Sequence, residues 1–211
     1  MRRVFLLALL ALALPIAASA SGINIMNQYG SISVSLSGVS DLARPSELTA
    51  FNGITPAPGG ALGHVLFSTG ALTSGSILSG GMFAGGGTFD VLGIGKWAKT
   101  LTGCPSCSNP ISLFTGSFLG PVSWTLTSAP GVKNLTYTLS GTIFGQLYNG
   151  RWVSGTTTQN FFTINGQLTQ GIGHIRVGNT NLIVPEPGTL GLLGTGLVGI
   201  AGMFRRKLIG T

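Results

Sequence analysis

Charged side chains are scarce in this sequence, with 11 Lys and Arg and 4 Asp and Glu in 211 residues, or 7%. A typical soluble domain carries roughly a quarter. The formal net charge of +7 invites a nucleic-acid reading until its location is examined. Arg2, Arg3, Arg205, Arg206 and Lys207, less Glu186, supply +4 of it from the two ends. Residues 21–184 hold six bases (Arg44, Lys96, Lys99, Lys133, Arg151, Arg176) and three acids (Asp41, Glu47, Asp90). So sparse a set cannot follow a phosphate backbone, which excludes nucleic acid as a partner. The shortage of Glu and Lys also excludes a coiled coil.

Cysteine is limited to Cys104 and Cys107, and histidine to His64 and His174. A structural zinc site built on Cys104-Pro105-Ser106-Cys107 would need two further ligands, and no metal is expected. A redox CxxC needs a helix after its first Cys. Here Gly103 and Asn109-Pro110 surround the pair, and the expectation is a small disulfide pinning a loop. Leu101-Thr102-Gly103-Cys104 resembles a lipoprotein acylation box but lies far from any signal peptide. No Gly-x-Ser-x-Gly nucleophile elbow occurs. Gly93-Ile94-Gly95-Lys96 is no phosphate loop, because Trp97 stands where Ser or Thr is required and Asp90 where the first Gly is required. Asp41, Glu47 and Asp90 are the only carboxylates available for glycoside hydrolysis. The chain is therefore expected not to be an enzyme and to hold no cofactor.

What the sequence does have is glycine and hydroxyl groups. Residues 21–184 contain 28 Gly, 19 Ser and 19 Thr. Large apolar residues alternate with them: Ile32, Val34 and Leu36; Val122, Trp124 and Leu126; Leu135, Tyr137, Leu139 and Ile143. Period two marks strands with one buried and one wet face, and Trp124 is expected in the core. Trp97, between Lys96 and Lys99, is expected nearer the surface. Asn149-Gly150 and Asn165-Gly166 are hairpin signals, which predict a meander over about 134–177. Prolines 45, 56, 58, 105, 110, 121 and 130 punctuate the chain, and a short helix is expected within Leu42–Ile54. Gly80–Gly87 reads equally as a loop or a bulged strand. The fold expected is mainly β, an antiparallel sandwich or barrel-like domain over residues 21–184.

Both flanks read as sorting segments. Met1-Arg2-Arg3, the 11-residue apolar run Val4–Leu14, Pro15 and the small residues Ala18-Ser19-Ala20 form a signal peptide. Signal peptidase is expected to cut after Ala20. After Val184, Pro185-Glu186-Pro187 precedes 17 uncharged residues, 188–204, and then the basic stop Arg205-Arg206-Lys207. At about 1.5 Å per residue that run gives about 25 Å, a marginal transmembrane helix. Its basic end is expected to stay cytoplasmic.

Motif, span and basic stop in this order resemble the PEP-CTERM sorting signal, and Val-Pro-Glu-Pro-Gly-Thr-Leu-Gly-Leu-Leu-Gly matches it closely. The resemblance implies a bacterial exported protein whose processing partner is an exosortase. It implies a transient membrane anchor followed by surface or extracellular delivery, usually in species that make exopolysaccharide. The body is similar to Ser/Thr/Gly-rich β-domains of that group, which transfers no active-site residues. The reading is a structural, exopolysaccharide-associated surface or matrix protein. The alternatives are a carbohydrate-binding module or adhesin, with exposed aromatics on one sheet face, and a secreted hydrolase, with two carboxylates, or Asp90 and a histidine, in a cleft.

Overall fold

A computed structural model describes residues 21–128, 134–163, 168 and 172–184. Strand is the dominant element. In chain order the strands are β1 (Ser21–Gln28), β2 (Ser31–Ser35), β3 (Gly38–Arg44), β4 (Ser46–Phe51), β5 (Gly63–Phe67), β6 (Leu72–Ser76) and β7 (Gly80–Phe83). They continue as β8 (Gly86–Gly93), β9 (Ile111–Phe118), β10 (Val122–Leu126), β11 (Thr136–Leu147), β12 (Trp152–Phe162) and β13 (Ile172–Val184). One helix is described, α1 (Gly95–Thr102).

The pairing closes a ring through β1, β4, β5, β8, β9, β11, β12, β13 and back to β1, an eight-stranded antiparallel barrel. The remaining strands extend its wall rather than adding a second layer. β2 continues the path of β1 and pairs with β3 and β13, while β1 pairs with β4. β6, β7 and β10 repeat the neighbour order of β5, β8 and β9, because β6 pairs with β7 and β7 with β10. β11 bonds β10 along its first half and β9 along its second. Backbone bonds from Thr69 to Val39 and from Leu72 to Leu36 carry the pairing between the β3 and β5–β6 paths. The barrel thus consists of eight long antiparallel strands, the first five each interrupted midway.

The interruptions coincide with residues that cannot hold a regular ladder. Pro45, which lacks a backbone N–H, separates β3 from β4, and Pro121 precedes β10. Gly30 adopts φ +83°, and a Cβ there would press on the backbone of Arg44 and Ser46. Within the eight-strand ring every strand has a neighbour on both sides, which limits the edge-to-edge aggregation hazard of open sheets.

Alternation decides which face is which. Along β11 the residues Tyr137, Leu139, Ile143 and Leu147 are buried, and along β12 the residues Val153, Thr157, Gln159 and Phe161. The interior is filled by rings: Phe114 meets Phe89, Phe89 meets Phe67, Phe67 meets Phe161, and Phe161 meets Trp124. Trp124 stacks on Tyr137 with centroids 4.7 Å apart. The outward positions of β11 and β12 are mostly Ser, Thr, Asn and Gln. A barrel that spans lipid has the reverse pattern, apolar outside.

Three expectations change. Leu42–Ile54 is not helical; it runs through β3 and β4, since alternating Ser46, Leu48 and Ala50 turn inward. Leu36 is exposed (69%) because the β2–β3 turn falls there. The antiparallel meander is not confined to 134–177 but covers the whole body. Gly80–Gly87 resolves into β7 and the start of β8. Around Asn149-Gly150 the β11–β12 hairpin closes with Gly150 at φ +80° and a bond from Leu147 N–H to Arg151 O of 2.9 Å. Asn165-Gly166 lies outside the described residues, as do the signal peptide and residues 185–211. Among the described residues no helix is long and apolar enough to cross a membrane.

Candidate functional site

Asp41 does not meet the other two candidate carboxylates. Asp41 points into the barrel from β3 and is fully buried. Glu47 sits on β4 opposite His64, and Asp90 on β8 lies between Leu66 and Thr115. Glu47 and Asp90 alternate with buried neighbours, so the wall stands between them and Asp41. Burial raises Asp90 above the usual carboxylate range, offset in part by the hydrogen bond with Thr115. Among the described residues no three His, Cys, Asp or Glu side chains cluster as a metal site would require.

Cys104 and Cys107 are joined, with Cα atoms 5.4 Å apart. The bridge follows α1, whose end is capped by Gly103 at φ +67°. Lys99 Nζ donates to Pro105 O at 3.2 Å. The helix packs through Ala98, which is fully buried, and through Trp97. The Trp97 indole N–H donates to Leu62 O at 3.0 Å, and its ring lies 6.0 Å from Phe51. Trp97 is therefore half-buried rather than a surface platform. Replacing both cysteines by serine is expected to cost at most about 2 kcal/mol, since the bridge closes only a four-residue loop. Urea unfolding checks this, and a loss near 5 kcal/mol would contradict it.

The exposed aromatic pair is elsewhere, on the outer face of β11 and β12. Phe144 and Trp152 are 40% and 59% exposed, and their rings stack with centroids 5.1 Å apart and planes 10° from parallel. They are diagonal neighbours, because Phe144 pairs with Ser154 and Gln146 with Trp152. Diagonal pairs of large side chains reach one another across a sheet. Of the three tryptophans that the sequence offers for stacking on sugar rings, Trp97, Trp124 and Trp152, the last is the exposed one; Phe144 is the partner that sequence reasoning missed. The available signal was phase, since Phe144 falls on the wet side of the Tyr137–Leu139–Ile143 alternation.

From this pair a hydroxyl-rich strip runs along the same face. Ser123, Ser140, Thr142, Thr156 and Thr158 line a shallow hollow of about 440 Å³ with Pro121. Ser123 and Ser140 hydroxyls lie 2.8 Å apart, and Thr138 donates to Asn160 Oδ1 at 2.8 Å. The strip ends at Phe162, half-buried, whose ring is 5.5 Å from that of His174. From Trp152 to Phe162 is ten residue steps, about 34 Å at about 3.4 Å per step. This is a continuous track with an aromatic at each end and hydroxyls and amides between.

No curated protein and no solved structure matches the chain. The family profile of the PEP-CTERM protein-sorting motif matches residues 184–207, which include Pro185-Glu186-Pro187 and Arg205-Arg206-Lys207. The chain carries that motif, which marks it as an exported protein with an exosortase as its processing partner.

Proposed function

We propose that the barrel is a non-catalytic, structural module of the cell surface or extracellular matrix. Its outer track over β11 and β12 holds a polysaccharide chain. The track itself carries the reading. A sugar ring presents an apolar C–H face and a rim of hydroxyls. The Phe144–Trp152 pair offers flat apolar area for the first, and the Ser, Thr and Asn side chains between offer partners for the second. Delivery outside the cell, as the sorting motif indicates, brings the track to where such polymers lie. The outward side chains of β11 and β12 include no Asp or Glu, which supports binding rather than hydrolysis on the track, since hydrolysis needs two carboxylates at one bond. Signal peptidase and a transient anchor over 188–204 complete the proposed route.

Trp152→Ala is the test. Its side chain is exposed, so stability should stay within about 0.5 kcal/mol of the parent. Retardation of the full chain in gels containing a neutral glucan or a polyuronate should fall at least fivefold for every polymer the parent binds. Unchanged retardation would remove the track from the binding surface.

A further inference from the structure

We propose that the Phe162 end of the track terminates in an anion pocket formed by Arg44, Ser31 and His174, which takes the carboxylate of an acidic sugar. The proposal rests on the polysaccharide reading and names the polymer's chemical class, a uronic-acid-containing chain. Three adjacent strands bring these residues together. Ser31 on β2 pairs with Arg44 on β3 and with His174 on β13. His174 in turn pairs with Phe162 on β12. Arg44, Ser31, His174 and Phe162 therefore form one cross-strand row, although residues 31 and 174 are far apart in the chain.

The row borders a real concavity. Ser31, Ser33, Ser40, Arg44 and His174 line a half-open pocket of about 590 Å³ with Ile32 and Ala43. Its polar lining is made of hydroxyls, one guanidinium and one imidazole, with no carboxylate. Arg44 is exposed, and its guanidinium has no ion pair or hydrogen bond among the described residues. Its planar fork of donors matches a carboxylate in a way a lysine cannot. The Ser31 hydroxyl lies 3.3 Å from His174 Nδ1 and orients the ring. A register shift opposite Asn160 and Phe161 leaves Arg176 exposed two residues beyond His174, adding a second cation on the same strand. The surface acids Glu47 and Asp90 belong to β4 and β8 and do not line this pocket.

Charge of one sign, a concave wall and a place at the end of a 34 Å track (about ten strand steps) favour a polymer over a free ion. Phe162 and Arg44 lie three strand spacings apart, about 14 Å at about 4.8 Å each, so a chain leaving the track at Phe162 would turn along the row and bring a later sugar's carboxylate to Arg44. Binding should weaken with salt as a screened charge contact does.

The experiment compares the full chain with Arg44→Gln and Arg44→Lys against three probes: a polyuronate, a neutral glucan and free glucuronate. Because Arg44 is exposed, all three proteins should share one unfolding midpoint. The expected result is tighter binding of the polyuronate than of the neutral glucan by the parent. Arg44→Gln should lose at least tenfold on the polyuronate and nothing on the glucan, with Arg44→Lys intermediate. Free glucuronate should bind at least tenfold more weakly than the polymer. Equal binding of both polymers, unchanged in Arg44→Gln, would overturn the anion pocket and leave the polysaccharide track standing. Tight binding of free glucuronate, with no gain from the polymer, would overturn the link to the track. Failure of the parent to bind either polymer would overturn both.

Discussion

Trp124→Ala is expected to lower the unfolding free energy by about 3–5 kcal/mol, the range for truncating a large aromatic in a packed core. Trp124 is 1% exposed. It touches Tyr137 face to face, Phe83 edge-on and Phe161 at a tilt, so its removal opens a hole that three rings line. Its indole N–H also donates to Ile77 O at 2.9 Å. That bond ties the β6–β7 turn to the core, as Tyr137 Oη does by donating to Leu78 O at 2.9 Å. Urea unfolding should show a much lower midpoint with nearly the same slope, because the surface exposed on unfolding hardly changes. Trp152→Ala is the internal comparison: it removes the same side chain from the outside of the same barrel and should move the midpoint little. Equal shifts for the two variants would contradict the assignment of inside and outside.

That inside–outside distinction was legible in the sequence because the polar partner at nearly every alternate position is Ser or Thr. Val122, Trp124 and Leu126, or Tyr137 and Leu139, cannot be read with another period. Closure into a ring was not legible. It depends on β13 finding β2, about 140 residues earlier, and β1, about 155 residues earlier, and nothing local in Ile172–Val184 specifies those partners. Leu42–Ile54 misled because Leu42, Leu48 and Ala50 are good helix formers, and tertiary pairing with β1, β2 and β5 overrode that preference. α1 escaped notice because eight residues give barely two turns of periodicity. Phe144 and Trp152 were available from phase alone. The row from Arg44 to Phe162 was not, since it exists only through the register of three strand pairs.

The barrel is expected to lose about 4 kcal/mol of stability between pH 4 and pH 8 on account of one buried acid. Asp41 is fully buried, and burial raises its pKa from 3.8 to about 7, against the opposing backbone bond from Phe67. Its Oδ1 accepts the Phe67 N–H, and the Ser46 N–H and hydroxyl beside the carboxylate also hold the pKa down, but Oδ2 has no partner at full hydrogen-bond geometry. The surroundings are polar but already engaged. Asn27 Nδ2 donates to Ser46 Oγ and Gln159 Oε1, and Gln159 Nε2 donates to Thr157 Oγ1. Gly178 leaves the room this network occupies, since a Cβ there would collide with Gln159 and Asn27. The network satisfies its own members and leaves the carboxylate without a counter-charge.

The direction follows from which state holds the proton more tightly. A folded-state pKa above the unfolded value means that the native protein binds the proton more strongly. Stability is then complete below pH 3.8 and is lost as pH rises through about 7. At about 1.4 kcal/mol per unit of pKa difference, about three units give the 4 kcal/mol. Asp90, also raised by burial, adds to the loss in the same direction, so the wild-type profile alone does not isolate Asp41. Asp41→Asn does. An amide oxygen can still accept from Phe67 while carrying no charge, so the variant should match or fall slightly below wild type at pH 4 and exceed it at pH 8. Its profile should lose most of the slope between pH 4 and 7. Unfolding free energies measured by urea at half-unit pH steps give both curves. Parallel curves for the two proteins would show that Asp41 carries its charge in the folded barrel at no cost.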